Sequence, residues 1–226
     1  MASRLVLLFT KPAVAGRVKT RLIGSLTAEQ AAQLHGAFVE DLLLRLDGGH
    51  FELRVAWALD DDEPMPVSAG PGDVRQVGSG LGERLFNALS NAAAEAPLIA
   101  AIGSDHPELT GGVLEEAFSV LDSGSADIVL GPARDGGYYL IALSARALNA
   151  ELFRDIPWST SEVLAVTLER SRELGLESHQ LAVASDVDTP DDLARLTARL
   201  ARGELRSPRT AAVLKGWGRL VAEEPR

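Results

Sequence analysis

Apolar residues run along the chain in two alternating modes, short continuous blocks and longer stripes of helical spacing. The first block, Arg4 to Thr10, is a continuous aliphatic run bounded by Pro12 and Gly16, the pattern of a strand buried on both faces. Thr27 and Gln30 then form a capping-box pair. They open a helix to about Leu46, with Ala31, Leu34, Phe38 and Leu42 on one stripe and Gly48-Gly49 behind it. Phe51 to Leu59 alternates and predicts a strand, and Asp60 to Gly72 is an acidic, proline-containing loop. Arg75 to Val77 predicts a short strand leading through "GSGLGERL" into a helix that ends near Pro97. Leu98 to Ile102 is fully apolar, and a helix follows over Thr110 to Leu121. Strands are predicted at Ile128–Leu130, Tyr138–Leu143 and His179–Val183. Ser159 and Glu162 predict a capped helix to Leu174. Thr189 predicts an N-cap, with Pro190 in the first turn. A final helix is expected after Ser207.

Strands that alternate with helices imply an α/β, three-layer Rossmann-like fold around a mostly parallel central sheet. In such sheets ligands sit beyond the carboxyl ends of the strands. Each unusual polar stretch follows a strand: Lys11–Arg21, Gly78–Glu83, Ser104–Pro107, Arg134–Gly137 and Asp186–Asp188. Five loops are therefore expected on one rim. No repeat or linker interrupts the pattern, so residues 1–226 read as one domain, with 203–226 as a C-terminal extension.

Composition narrows the partners. The 226 residues are 46% hydrophobic and carry a formal net charge of −10, which disfavours nucleic acid and anionic membrane as partners. There is no cysteine, which removes disulfides, thiolate metal sites and thiol catalysis and fits a cytoplasmic protein. No apolar run approaches the ~20 residues of a membrane span.

Against that acidic background, Lys11, Arg17, Lys19 and Arg21 fall within eleven residues directly after the first strand. With Gly16 allowing close backbone approach, these cations read as a phosphate site; the competing reading is a solvated loop. A polyphosphate calls for Mg²⁺ or Mn²⁺, which takes carboxylate and phosphate oxygens. Asp105 follows a buried strand beside Ser104, and Asp186 and Asp188 straddle Val187; all three are metal candidates. Equally, Asp105 fits a turn and Asp188 a helix start. Gly78, Gly80 and Gly82 could line a nucleobase or only form a turn. Asp135, with Gly136 and Gly137, could act as general base or acceptor contact, or form an Asp-Gly turn. Tyr138 and Tyr139 point to opposite faces, so at most one should reach a pocket. His106 reads as structural, and Trp158 as packing or substrate contact.

The ordered segments "KPAVAGRVKTRL", "GLGERL", "IGSDHPELT", "GPARDGGYYLIAL", "IPWSTSEVL" and "DVDTPDDL" span nearly the whole chain. Together they resemble the bacterial rSAM/selenodomain-associated, arsenosugar-type glycosyltransferases of the nucleotide-diphospho-sugar transferase superfamily. "KTRL" and "DVDTPDDL" are also similar to the 2-phospholactate and phosphoenolpyruvate guanylyltransferases and, more distantly, to molybdenum-cofactor nucleotidyltransferases. The resemblance implies a GT-A-type fold, phosphates on Lys19 and Arg21, and a metal on Asp105 and Asp188. The expected reaction is nucleotidyl transfer from an NTP to a small phosphate, phosphonate or carboxylate acceptor, releasing pyrophosphate. Glycosyl transfer from an NDP-sugar and non-catalytic nucleotide binding are the alternatives.

Overall fold

The computed structural model describes residues 3–220. Strand β1 (Arg4–Thr10) is followed by a short 3-10 turn at Thr20–Leu22 and by helix α1 (Ala28–Leu46). Then come β2 (Glu52–Trp57), β3 (Val74–Arg75), α2 (Leu81–Ala93), β4 (Leu98–Gly103) and α3 (Gly111–Asp122). The second half contains β5 (Ile128–Pro132), β6 (Tyr138–Ser144), α4 (Val163–Glu173), β7 (Ser178–Gln180), α5 (Pro190–Ala201) and α6 (Pro208–Gly216).

The strands form one sheet in the order β3-β2-β1-β4-β6-β5-β7. All neighbouring pairs are parallel except β4–β6 and β5–β6. The reversal at β6 has a local cause. Only Ala133 to Gly137 connect it to β5, far too few residues for the crossover that a parallel pair requires. Strand β1 sits centrally because the run from Leu5 to Leu8 buries both faces. Val6 and Leu8 pack in one layer with Val39 and Leu42 of α1 and with Leu114 and Phe118 of α3. Leu5 and Leu7 pack in the other with Leu85 and Leu89 of α2 and with Phe153. The chain leaves β1 toward β2 and β3 and then returns to β4 on the other side. That topological switch opens a crevice beyond the ends of β1 and β4, where an α/β sheet binds its ligands.

The Thr27–Gln30 capping box forms as read, and Thr189 caps α5 as read, with Pro190 behind it; Asp192 completes a second capping box there that was not expected from the sequence. The Ser159–Glu162 pair does not. Helix α4 starts at Val163 without a side-chain cap, and Ser159 adopts φ +67. The 160 loop is instead pulled against the β5–β6 turn, where the Leu164 amide donates to the Gly136 carbonyl. A β-carbon on Gly136 would collide with the Ser161 backbone, and its φ of +90 itself favours glycine. Three strands toward the sheet margins are shorter than their sequence patterns. β2 covers only Glu52–Trp57, β3 is only Val74–Arg75, starting one residue early and ending two early, and β7 ends at Gln180. At β7 all three residues are exposed; Leu181 behind it is buried and its amide donates to the Leu130 carbonyl, but the ladder stops there and Ala184 rejoins the sheet by an isolated bridge to Ala133.

Helix α6 is tied to the body by a buried acid. Asp41 of α1 accepts hydrogen bonds from the amides of Arg209 (2.9 Å) and Thr210 (2.8 Å) and from the Thr210 hydroxyl (2.7 Å). Asp41→Ala leaves those donors unpaired, so urea unfolding should show a loss of roughly 2–3 kcal/mol. In hydrogen exchange, α6 amides should lose protection before those of α1.

Candidate functional site

Val18 is buried and anchors the β1 loop, so that Lys19 turns inward with φ 47 and ψ 38. A left-handed conformation costs a side-chain-bearing residue about 1–2 kcal/mol, which its ion pairs offset. Its side chain is 2% exposed, and its Nζ lies 2.5 Å from Asp105 Oδ1 and 2.9 Å from Asp188 Oδ1. The Phe38 ring centroid is 5.6 Å away on another side. The two acids are held together as well, because the Val187 amide donates to the Asp105 carbonyl at 3.0 Å. Burial alone would lower the Lys19 pKa, but Asp105 and Asp188 outweigh it and raise it. Burial likewise pushes Asp105 up, and the Lys19 ammonium more than reverses that. Lys19 is thus charged between two carboxylates. Arg21, largely exposed, adds a weaker contact, 3.8 Å from Asp188 Oδ2.

Around this centre the crevice has two halves. The first, about 590 Å³, is lined by Lys11, Arg17, Lys19, Arg21 and Arg84 together with Thr10, Gln76 and Ser104. Its cations are not equally available. Arg17 is clamped by Glu63 (3.1 and 3.0 Å) and Asp60 (3.1 Å) of the acidic loop. Lys11 and Arg84 have no carboxylate partner among the described residues; Arg84 uses only its Nε, on the Gly78 carbonyl. The second half, about 330 Å³, is lined by Asp135, Asp186, His106, Tyr138, Tyr139 and Trp158. Asp105, Asp188, Leu81 and Ser159 border both halves.

The remaining sequence candidates fall into place around these halves. Asp135 Oδ1 accepts from the Gly137 amide at 2.9 Å, an Asx turn that holds the carboxylate at the cavity edge. Gly137 lines the second half, whereas Gly16 and Gly136 shape their loops. Gly80 caps α2, and Gly78 packs against Glu83. Gly82 is required where it is because a β-carbon would meet the Phe153 carbonyl at 2.6 Å and the Trp158 ring at 2.8 Å. In "GSGLGERL" it is Leu81 and Arg84, one helical turn apart, that face the crevice. Both tyrosines line the second half, contrary to the expectation of at most one. The cavity wraps the start of β6 and so meets both faces of the strand. Tyr138 stands edge-on to Trp158 at 6.2 Å, and Tyr139 lies 5.0 Å from His106. His35, Gln76 and Arg84 were not singled out by sequence. A polar residue at the end of a strand marks Gln76, and the i, i+3 spacing from Leu81 marks Arg84.

Among the described residues, no three His, Asp or Glu side chains gather into a metal cluster. Asp105 and Asp188 nevertheless converge on one cationic point, now taken by Lys19 Nζ. Two hard carboxylates that need phosphate oxygens to complete a shell fit Mg²⁺ or Mn²⁺. Asp186 borders only the second half.

His35 is buried, with its Nε2 3.1 Å from both Thr10 Oγ1 and the Lys11 carbonyl. Burial lowers its pKa from the ordinary 6.5. With the folded pKa depressed, its contribution to stability is complete above 6.5 and is lost as pH falls below that value. The His35 ring-proton NMR titration should therefore have its midpoint below 6.5, and His35→Gln should lose less stability than wild type between pH 7 and 5.

Comparison with known proteins follows the same lines as the geometry. A family model described as "Uncharacterized protein conserved in bacteria (DUF2064)" matches residues 41–160. A candidate nucleotide-diphospho-sugar transferase from Desulfovibrio desulfuricans G20 is 32% identical, with 97% of each chain covered and a TM-score of 0.88. A cytidylyltransferase from Leptospira borgpetersenii serovar Hardjo-bovis is 12% identical, covering 100% of this chain and 99% of its own, with a TM-score of 0.55. A CMP:2-keto-3-deoxy-manno-octonic acid synthetase complexed with CTP is 13% identical over 89% of this chain and 99% of its own, with a TM-score of 0.51. The last two likenesses concern the fold. No curated protein sequence matches the chain.

Proposed function

This chain belongs to the DUF2064 family of bacterial proteins, and from its site we propose a nucleotide-using transferase. One observation carries this reading. At the topological switch, a half rich in cations and a half rich in carboxylates and aromatic rings meet at the Lys19–Asp105–Asp188 cluster. Nucleotide phosphates suit the first half, where Lys11 and Arg84 have no carboxylate partner among the described residues, Arg21 is only weakly paired with Asp188, and Ser104 and Thr10 offer hydroxyls. The acceptor suits the second. The 32% identical relative named for nucleotide-diphospho-sugar transfer supports the assignment.

Nucleotidyl transfer is our first reading. An acceptor oxygen attacks the α-phosphorus of an NTP, and pyrophosphate leaves. The charge growing on the leaving phosphates is met by Lys19, a cation fixed in place that needs no reorganisation as the reaction proceeds, with the exposed Arg21 beside it. Asp105 and Asp188 would hold Mg²⁺ or Mn²⁺, with Asp186 as a further candidate, and the bound ion would supply Lewis-acid stabilisation. Asp135 sits at the acceptor edge, where it can orient the nucleophile. Glycosyl transfer is the second reading, favoured by the carboxylate and aromatic lining of the acceptor half and by that relative's name. It also accords with the resemblance to rSAM/selenodomain-associated glycosyltransferases. In both readings the chain acts as one domain, 1–226, in the cytoplasm, on a nucleotide and a small molecule. Residues 221–226 of the expected 203–226 extension lie outside the described residues, and no helix among the described residues is long and apolar enough to cross a membrane.

The test is product release. Each NTP and a panel of NDP-sugars are supplied with Mg²⁺, and thermal stabilisation, pyrophosphate and free NDP are followed. A nucleotide at ~100 times its dissociation constant should add about 2.7 kcal/mol. Pyrophosphate supports the first reading and sugar-dependent NDP the second. Nucleotide binding with neither product would leave a non-catalytic nucleotide-binding module, and no binding of any nucleotide would sink all three.

A further inference from the structure

The acceptor half holds a charge pattern that the expected anionic acceptor does not match. Its lining includes Asp105, Asp135, Asp186 and Asp188 and contains no lysine or arginine. Asp105 and Asp188 are balanced from the other half by Lys19 and Arg21. Asp135 and Asp186 have no ion-pair partner among the described residues. Arg134, beside Asp135 in the chain, is exposed and does not line the cavity. Between these carboxylates lies a group that seeks uncharged hydrogen-bonding partners. His106 is 6% exposed, and both of its ring nitrogens lack a partner; the Tyr138 hydroxyl is turned into the body toward Thr167. Apart from Ser159 and Thr160, the rest of the wall is largely apolar, with Phe9, Leu85, Ile141, Val163 and the Trp158 ring.

We propose that this half receives an acceptor without any anionic group, an alcohol whose hydroxyl is the nucleophile and whose apolar face lies against Trp158 and Tyr138. The proposal rests on the transferase reading and replaces the phosphate, phosphonate or carboxylate acceptor expected from sequence. An anion would enter a partly dry cavity facing two uncompensated carboxylates. At about 8 Å and an effective dielectric near 20, each such charge weakens binding by about four-fold after screening, and the two together by about ten-fold or more. A neutral imidazole offers one donor and one acceptor; a hydroxyl can pair with both, whereas an ionised phosphate has no proton to give the acceptor nitrogen. An alcohol nucleophile must also lose a proton, whereas a phosphate or carboxylate acceptor is already ionised. The hydroxyl oxygen forms its bond to the donor's phosphorus, or to its anomeric carbon. The bond to pyrophosphate, or to the NDP, breaks with its electron pair staying on the leaving phosphate oxygen. The proton passes to Asp135, whose Oδ2 accepts no protein hydrogen bond, and from there to water.

Trp158 provides a readout that needs no turnover. With inorganic pyrophosphate filling the basic half, the full-length protein is titrated with benzyl alcohol, benzylamine and phenyl phosphate. The quenching that disappears in Trp158→Phe is taken as binding in the acceptor half. The alcohol and the amine should each bind at least ten-fold more tightly than phenyl phosphate. In the double variant Asp135→Asn/Asp186→Asn that gap should shrink to within about three-fold. Phenyl phosphate binding as well as the alcohol, or no Trp158-dependent quenching by any of the three, overturns the proposal. Thermal stabilisation by NTPs and NDP-sugars is measured separately. Failure there removes the transferase reading, while the probe ranking still decides the charge preference of the cavity.

Discussion

Lys19→Ala should cut turnover by about 10²–10³, equivalent to ~3–4 kcal/mol of transition-state stabilisation, and weaken nucleotide binding far less. The expectation follows from where the ammonium sits. Its side chain is 2% exposed and its charge is fixed by contacts of 2.5 and 2.9 Å to Asp105 and Asp188. A charge already oriented before the reaction acts on the charge that develops during it, and contributes less to ground-state binding. Without Lys19 the two carboxylates face one another, so a divalent ion should stabilise the variant against heat more than it stabilises wild type. Lys19→Arg should not restore turnover, because a planar fork cannot place one point charge between both acids. The measurement is pyrophosphate release from NTPs beside NDP release from NDP-sugars, for wild type and both variants. Collapse of pyrophosphate release with nucleotide affinity retained supports nucleotidyl transfer. If Lys19→Ala binds NDP-sugar somewhat more weakly and turns it over at a comparable rate, the glycosyl reading takes its place.

How far these residues could be read from the sequence depends on the kind of signal. Leu5 to Phe9 declares a central strand because both faces are apolar, and Thr189-Pro190-Asp191-Asp192 declares a helix start because capping is local chemistry. In edge strands such as β7 burial does not mark where the ladder ends, so their bounds drift. The gathering of five loops on one rim follows from alternation of strands and helices alone, and the two cavities contain lining residues from each of them. Direct contact between Lys19 and Asp188, 169 positions apart, has no local signature. Nor does the clamp of Arg17 by Glu63, which removes from the free basic set a residue that composition would count in it. Arg84 in α2 and Gln76 just after β3 carry only faint local marks, and tertiary placement is what puts them in the crevice. Trp158 and Ser161 shape the site by packing on Gly82 and Gly136, so two glycines that suggested ligand contact serve backbone approach.

Asp105→Asn should abolish measurable turnover while leaving the fold intact. The substitution keeps the size and shape of the side chain and removes its charge. The backbone contact from the Val187 amide to the Asp105 carbonyl does not depend on that charge, so the β4 and β7 loops should stay joined. Lys19 would keep only Asp188, and the pair of carboxylates that suits a divalent ion would be reduced to one. Mg²⁺ typically binds through one or two carboxylates together with phosphate oxygens. Loss of one of the two should therefore cost both metal-dependent stabilisation of the nucleotide complex and the rate. An order among the three acids follows from position. Asp105 and Asp188 converge on the same point, and Asp186 borders only the acceptor half. Damage should thus be greater for Asp105→Asn and Asp188→Asn than for Asp186→Asn. A pH signature accompanies it. Because the Lys19 charge, against the opposing effect of burial, holds the Asp105 pKa below 3.8, Asp105 contributes stability that is present above 3.8 and lost as pH falls through its lower folded value. Acid unfolding of Asp105→Asn should lack that step, which unfolding at pH 7 and below pH 4 would reveal. Full activity of Asp105→Asn with Mg²⁺ would make Asp105 a turn residue, and the metal would have to be sought elsewhere.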